Sequence, residues 1–212
     1  MAFLSILAGI YFINLGNYPI ELRNFSATQL RLSLSCFAPS TYKNLWKDIN
    51  PENKNILKTK LFEVLFAEPE ETMKKHIADT LGEIAGSVLS TNADEWPEFK
   101  VHLWELFKQE NFSSIMAGFF LLETFLPFCP EMFKDDKNGL YSLFKNGLTH
   151  ENNKLKLSSL NAFSSYLETL EIKDQKLFRP LVLDILNVVY SLLVNDNFND
   201  EGLEVLSEML DV

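Results

Sequence analysis

The sequence predicts an all-α fold, a right-handed solenoid built from about five helical hairpins stacked in order. Three observations favour this fold. Apolar residues recur at helical spacing along most of the chain, and no segment alternates apolar and polar residues as a strand does. Glycine and proline each occur only 8 times in 212 residues, too rarely for a turn-rich β-sandwich or barrel. Helices of similar sequence also return at a nearly constant interval, which is typical of repeat proteins.

Apolar faces of helical spacing define the helices in chain order. After an apolar first segment, 1–15, and a helix that opens near Glu21, six faces follow: Ile56–Leu65, Met73–Val88, Phe99–Phe107, Leu140–Leu148, Leu155–Leu167 and Leu177–Leu192. Residues that start helices lie between them. Pro51 stands at a first helical position, where its missing N–H is not needed. Glu70 and Glu71 follow Pro69, where acidic groups stabilise the helix dipole. We expect about ten helices joined by short polar turns.

Every second helix carries the same short pattern: an apolar residue, then a basic or polar residue, then small or apolar residues one turn later. The pattern begins at Leu22, Met73, Ile115 and Leu155, which lie 51, 42 and 40 residues apart, and the copy at Ile115 lacks the basic residue. These intervals are close to those of two-helix HEAT-type repeats. A compact helical bundle is the alternative, but a bundle does not require one helix face to return at a fixed period. The predicted repeats are residues 1–37, 38–90, 91–132, 133–171 and 172–212.

The two ends of the chain do not resemble the polar caps that close a repeat array. Residues 1–15 are apolar, and the last helix is expected from about Asn199 to Val212. Terminal repeats normally carry a polar outer face. We therefore expect a segment of a longer array, whose exposed cut surface would drive dimerisation through the apolar first helix. The alternative is a short protein whose ends pair with another chain.

The balance of acidic, basic and metal-binding residues restricts the classes of partner and cofactor that the chain can bind. The 19 basic and 29 acidic residues give a net charge of −10, which argues against nucleic acid as a partner and suits basic proteins. Cys36 and Cys129 form neither a disulfide framework nor a zinc motif. The three histidines, His76, His102 and His150, lie on separate elements without metal-ligand spacing. No metal or other cofactor is expected.

The sequence does not predict an enzyme or a membrane span. Gly82 and Gly86 lie inside a helix, so their spacing indicates close helix packing rather than a phosphate-binding loop. No serine, histidine and aspartate are arranged around a nucleophile elbow. The most apolar run, Leu181 to Val194, is interrupted by Asp184 and Asn187 and is shorter than a membrane span of about 18 residues or more.

The second helix of each hairpin is expected to line the concave face of the solenoid. The polar residues opposite its apolar stripe are the candidate partner-binding residues: Arg23, Asn24, Arg31, Lys75, Asp79, Glu83, Asn161, Ser165 and Glu168. One interpretation is a solvated face with helix-stabilising charge pairs, and the other is a surface that binds a folded basic protein. Trp46, Trp96 and Pro97 lie at turns between repeats, where we expect the two large rings to pack one repeat on the next.

Two stretches of the sequence resemble the N-terminal part of an importin-β-type nuclear transport receptor (karyopherin-β), nearest the importin-β3 group. The first runs from Leu22 to Leu34, continues with Trp46, and ends in the helix that starts Ile56-Leu57-Lys58. The second is the long helix from Met73 to Leu89 followed by the Trp-Pro-Glu motif at residues 96–98. Weaker similarity extends to residue 208.

Two features depart from the family pattern. The helix at Ile115 is unusually aromatic, with Phe119, Phe120 and Phe125, and the helix that precedes Phe3 in the family is missing. A divergent member lacking both ends is consistent with these departures.

The resemblance implies a function that periodicity alone does not. It implies that the concave face of these N-terminal repeats binds Ran-GTP, which releases import cargo. It also implies cargo proteins and phenylalanine-glycine nucleoporins as partners of the whole receptor, and shuttling between cytoplasm and nucleus. The alternative is a HEAT-repeat scaffold or regulatory subunit unrelated to nuclear transport, whose binding does not depend on the nucleotide state of Ran.

Overall fold

A computed structural model describes residues 9, 18–109 and 111–194. Within these residues the chain forms nine α-helices and four short 3-10 segments, and no strand. The chain divides into two compact units, Met1–Phe128 and Cys129–Val212. The helices expected over residues 1–15 and from Asn199 onwards lie outside the described residues.

Residues 18–109 and 111–128 of the first unit contain five α-helices in two layers. These are α1 (Ile20–Leu34), α2 (Pro51–Ala67), α3 (Glu71–Leu89), α4 (Glu98–Lys108) and α5 (Phe112–Phe125). Helices α1, α3 and α5 pack side by side in one layer, while α2 packs on α3 and α4 packs on α5. Short 3-10 segments, Trp46–Asp48 and Ala93–Glu95, precede α2 and α4.

The second unit continues the alternation of helices. It contains α6 (Lys137–Leu148), α7 (Asn153–Leu167), the short α8 (Ile172–Gln175) and α9 (Val182–Val194). Helix α6 packs on α7, and α9 packs on both. Helices α3, α5 and α7 begin at Glu71, Phe112 and Asn153, and are thus 41 residues apart. This interval matches the HEAT-type period predicted from the sequence.

Side chains cap the helix starts where the sequence breaks the apolar pattern. Four residues each accept a hydrogen bond from a backbone N–H of the following first turn: Asn50, Glu70, Asn111 and Asn152. Such caps satisfy donors that the helix itself leaves unpaired. Pro51 occupies the first turn of α2, as expected.

Aromatic rings fill much of the core, which explains the large number of phenylalanines. In the second unit, Phe144, Phe163, Tyr166 and Phe178 are almost fully buried, and their ring centroids lie 5.1 to 6.5 Å apart. These separations are those of favourable edge-to-face and tilted aromatic pairs. Rings of this size fill the space between helices that smaller apolar residues would leave open.

Gly82 and Gly86 bring α3 into close contact with α5 and with Phe128, which lies just beyond the end of α5. A Cβ atom added at Gly82 would lie 2.9 Å from the Cβ of Thr124, and one at Gly86 would lie 2.7 Å from the Cβ of Phe128. Neither distance leaves room for a side chain. The interpretation of these glycines as packing residues is therefore confirmed.

The last described helix differs from the expected one. The sequence pattern predicted a helix from Leu177 to Leu192, but residues 176–181 form a 3-10 segment and the α-helix begins at Val182. Pro180 lies in this segment and has no backbone N–H to donate.

The run Ile172–Val194 is 23 residues long and apolar enough, by length and composition, to cross a membrane. A single run of this kind is weak evidence for a membrane span, because core helices share the same length and composition.

Candidate partner-binding face

The layer formed by α1, α3 and α5 carries a row of half-buried polar side chains across the first unit. We call this row the polar face; its residues are Arg31, Lys75, Asp79, Glu83, Glu123 and Thr124. Each helix contributes to it, and the side chains of neighbouring helices interact.

Arg31 and Glu83 connect α1 to α3. The Arg31 Nε atom lies 3.5 Å from Glu83 Oε2, and 35% of the arginine side chain and 19% of the glutamate side chain are exposed. This distance is longer than a normal charge-assisted hydrogen bond, and a partly exposed ion pair stabilises the fold only weakly. This ion pair therefore contributes little to the packing of α1 on α3.

Asp79 and Lys75 connect α3 to α5. Thr124 Oγ1 donates a hydrogen bond of 2.9 Å to Asp79 Oδ1. Burial raises the pKa of the Asp79 carboxyl, while that hydrogen bond and nearby cations act in the opposite direction. Lys75 Nζ lies 3.8 Å from Glu123 Oε1 and 5.6 Å from the ring centroid of Phe120. The polar face thus offers charges of both signs and hydrogen-bonding groups, which is the chemistry of protein recognition.

Arg23 was predicted from the sequence to bind a partner, but its side chain does not lie on the polar face. Its side chain is 7% exposed and forms an ion pair with Glu68, which is 3% exposed. Lys74, which holds the corresponding position on α3, is also buried and donates a hydrogen bond to Ser113 Oγ. Burial lowers the pKa of Lys74. The repeated basic residue of the sequence pattern thus joins neighbouring elements inside the unit.

Within the described residues, no hydrogen bond or ion pair joins the polar face to four other predicted residues, Asn24, Asn161, Ser165 and Glu168. Asn24 on α1 is half-buried, and its Oδ1 atom has no hydrogen-bond partner among the described residues. In the second unit, α7 carries Asn161 and Ser165, which are half-buried, and Glu168 caps its C-terminus and is exposed. The Oδ1 atom of Asn161 likewise has no hydrogen-bond partner within the described part of the chain. The binding roles of these residues remain predictions.

Glu123 and Thr124 were not among the residues predicted from the sequence. The copy of the repeat pattern at Ile115 lacks its basic residue, so this helix does not show the polar stripe that marks the other copies. The sequence nevertheless distinguishes these two residues, because they are the only adjacent polar residues in the last ten positions of α5, Met116–Phe125. Thr124 also lies 45 residues after Asp79, close to one repeat.

Trp46 and Trp96 form a joint between the turns that precede α2 and α4. Their rings stack with centroids 6.5 Å apart. Glu95 Oε1 accepts hydrogen bonds from Trp46 Nε1 at 3.1 Å and from Lys54 Nζ at 2.7 Å. The hydrogen bond from Lys54 holds the pKa of Glu95 below its usual value. Lys58 donates to the Glu95 backbone carbonyl and lies 5.7 Å from the Trp96 ring centroid, within cation–π range.

Both tryptophan rings are buried and stack on each other. Trp96 is 1% exposed and also contacts Phe62 and Phe99, at centroid distances of 6.0 and 5.5 Å. Pro97 follows as the exposed residue immediately before α4. We call the set Trp46, Lys54, Lys58, Glu95 and Trp96 the tryptophan joint. Because these residues stack on or hydrogen-bond to one another, we infer that the tryptophan joint stabilises the fold.

Comparison with known proteins gives a consistent result. The family model described as "IPO5-like, TPR repeats" matches residues 69–212, which is about two thirds of the chain. No curated protein matches the chain.

Three solved structures of the karyopherin Kap121p are similar to the chain. One contains Kap121p without a named partner and has 20% identity, a TM-score of 0.71, and coverage of 99% of this chain and 19% of that chain. Kap121p bound to RanGTP has 18% identity and a TM-score of 0.70, covering 99% and 18%. Kap121p bound to Nup53p has 20% identity and a TM-score of 0.65, covering 97% and 19%. The chain thus spans about a fifth of the length of these proteins.

Identities of this size show the fold, and it is the all-α repeat fold that the sequence predicts. The family match covers α3 to α9, including the Trp-Pro-Glu motif and two of the three helices of the polar face. The resemblance to importin-β-type receptors is therefore confirmed, and the chain belongs to the IPO5-like family of helical-repeat proteins.

Proposed function

We propose that the chain is part of a nuclear transport receptor and that its polar face binds Ran in the GTP form, without catalysis. The family match over residues 69–212 carries this proposal. It is supported by the similar structure of Kap121p that was solved with RanGTP bound. Cargo proteins and nucleoporins are proposed as partners of the whole receptor, and the structure of Kap121p bound to Nup53p supports a nucleoporin partner. The proposed location is the cytoplasm and the nucleus.

The geometry of the polar face supports a protein partner. The charged contacts across it, Arg31 to Glu83 and Lys75 to Glu123, are 3.5 and 3.8 Å long. Contacts of this length in partly exposed side chains cost little to break. A folded protein can therefore exchange them for shorter charge pairs of its own, which favours specificity and fast association.

The first test is a binding measurement with the 212-residue chain. Ran loaded with a non-hydrolysable GTP analogue and Ran loaded with GDP are titrated separately against it. We expect binding to the GTP form alone. Equal binding to both forms would contradict the transport proposal and favour the general repeat scaffold.

A charge reversal assigns the binding to the polar face. We expect Arg31→Glu to weaken binding of the GTP form by about tenfold or more, equivalent to about 1.4 kcal/mol. Lys60→Glu is the matched control, because Lys60 is an exposed cation on α2, in the other layer. Equal affinities of the two variants would place the interface elsewhere on the chain.

A further inference from the structure

A polar cleft lies in the second unit between the 3-10 segment Pro130–Asp136, the start of α6 and the turn from α7 to α8. Its volume is about 240 Å³. Three lysines and three acidic residues line it: Lys134, Lys137, Lys173, Glu131, Glu171 and Asp174. Because these charges cancel, the net charge of the cleft attracts neither a simple anion nor a simple cation.

Tyr166 lines the cleft from its inner side. The residue is 1% exposed, and burial together with the carboxylates of Asp174 and Glu131 raises the pKa of its phenol to about 12. Within the described part of the chain no group hydrogen-bonds to the Tyr166 hydroxyl, and the protein does not enclose this hydroxyl. It therefore opens into the cleft as a neutral group that can donate and accept a hydrogen bond. A buried polar group of this kind is normally satisfied by water or by a ligand.

The ion pair between Lys137 and Asp174 forms the inner part of the cleft. Lys137 Nζ lies 2.8 Å from Asp174 Oδ1, and the two side chains are 23% and 29% exposed. The hydrogen bond from Lys137 holds the pKa of Asp174 below its usual value, and Lys173 and Lys134 act in the same direction. Lys134 and Lys173 therefore both lie within electrostatic range of the same carboxylate.

Two outer ion pairs stand at the mouth of the cleft. Lys134 Nζ lies 3.3 Å from Glu131 Oε2, and Lys173 Nζ lies 2.6 Å from Glu171 Oε2. All four side chains are more than two thirds exposed, and ion pairs this exposed contribute little to stability. A ligand can therefore draw either lysine away from its partner at low cost.

We propose that this cleft binds a free α-amino acid in its zwitterionic form. The ammonium group of the ligand lies beside the Tyr166 hydroxyl, where the carboxylates of Asp174 and Glu131 act. The carboxylate of the ligand lies at the mouth between Lys134 and Lys173, which belong to two different elements. The phenol oxygen accepts a hydrogen bond from the ammonium group.

Charge and size both favour this ligand. A molecule with both charges complements a cleft whose own charges cancel, whereas a simple amine or carboxylate meets as many like charges as opposite ones. The volume lies below the range of about 300 to 1,000 Å³ that is typical of sites for drug-sized ligands, and it suits a molecule as small as an amino acid. The cleft lies in the second unit and the polar face in the first, so the proposal does not depend on Ran binding.

Titration of the 212-residue chain with L-glutamine, followed by protein-observed NMR, tests this proposal. The probes n-butylamine, with the ammonium group alone, and butyrate, with the carboxylate alone, are titrated in the same way. We expect saturable binding of L-glutamine with a Kd of about 1 mM or lower, and binding of each single-charge probe that is weaker by about tenfold or more.

Three results of these titrations would overturn the proposal. Butyrate that bound as tightly as L-glutamine would identify a site for anions. An equally tight n-butylamine would identify a site for cations, including basic side chains of another protein. Failure of L-glutamine to saturate the chain at about 50 mM would show that the cleft does not hold an amino acid.

Removal of the phenol hydroxyl tests the inner contact. Tyr166→Phe is expected to weaken L-glutamine binding by about fivefold or more, because a hydrogen bond to a charged group is lost. Tyr141→Phe is the matched control, since Tyr141 is half-buried on α6 and does not line the cleft. Equal affinities of the two variants would contradict a contact between the ligand and the Tyr166 hydroxyl.

A substitution at the mouth tests the outer contact. Lys134→Gln is expected to weaken L-glutamine binding by about threefold or more without weakening the binding of glutamine methyl ester, which has no carboxylate. Lys145→Gln is the matched control, because Lys145 is an exposed cation on α6 outside the cleft. Equal losses for L-glutamine and its methyl ester would contradict the placement of the ligand carboxylate.

Discussion

The tryptophan joint gives the most direct test of how neighbouring repeats hold together. Trp96→Ala removes a ring that is 1% exposed and contacts Trp46, Phe62 and Phe99. Truncation of a fully buried aromatic residue in a packed core costs about 3 to 5 kcal/mol. The upper half of this range is expected here, because the ring also carries aromatic pairs that are each worth about 0.5 to 1.5 kcal/mol beyond burial.

Trp104→Ala is the matched control for this substitution. Trp104 lies on α4, only eight residues away, but it is half-buried. Its truncation is expected to cost about 1 to 2 kcal/mol, nearer the mean of single substitutions. The assay is urea unfolding followed by far-ultraviolet circular dichroism, with the free energy extrapolated to water and the slope compared between variants.

One result would refute the reasoning, and another would make the comparison invalid. If Trp96→Ala cost no more than Trp104→Ala, the joint would not organise the packing between the turns. If Trp96→Ala lowered the slope of the transition substantially, unfolding would no longer be cooperative, and the free-energy comparison would not apply.

Three further predictions concern the first unit. Arg23→Met removes the ion-pair partner of the buried Glu68 carboxylate and is expected to cost about 3 to 5 kcal/mol in urea unfolding. The double variant Arg23→Met/Glu68→Met is expected to recover at least half of this loss. Gly86→Ala is expected to destabilise by about 1 to 3 kcal/mol through overpacking against Phe128. Its control, Gly139→Ala at an exposed helical position in the second unit, is expected to stabilise by about 0.5 to 1 kcal/mol. The reverse order would contradict the close packing at Gly86. Because the pKa of Asp79 is raised in the folded state, the folded chain keeps the proton of this carboxyl up to a higher pH than the unfolded chain does. Asp79 therefore destabilises the fold at pH values above its folded-state pKa. This destabilisation disappears as the pH falls through the folded-state pKa towards the ordinary value of 3.8. Asp79→Asn is therefore expected to have a larger free energy of unfolding than the native chain at pH 7. This difference in free energy is expected to shrink when urea unfolding is repeated at lower pH. The same difference at all pH values would argue against titration of Asp79.

Local sequence signals predicted most of the fold because they act over a few residues. Asn50 with Pro51 and Glu70 with Glu71 mark the starts of α2 and α3 through caps and dipole interactions, which need no distant partner. The start of α9 was misplaced, since the apolar periodicity continues through Pro180 although the backbone hydrogen-bond pattern does not.

The candidate site was predictable only in part, because its composition depends on contacts between repeats. Lys75 and Asp79 could be placed on one helix face by their spacing. Arg23 looked like a surface residue because charged residues are rarely buried. Its carboxylate partner, Glu68, lies 45 residues away, and no local pattern identifies such a pair.

The close contact at Gly82 and Gly86 has a mechanical consequence. At these two positions α3 presents no side chain, so its backbone rests directly on the side chains of Thr124 and Phe128. Sliding α3 along this contact would drive its neighbouring, larger side chains into the space that Thr124 and Phe128 occupy, and a close-packed interior has no room for them. The two glycines therefore fix the register in which α3 meets the chain between Thr124 and Phe128.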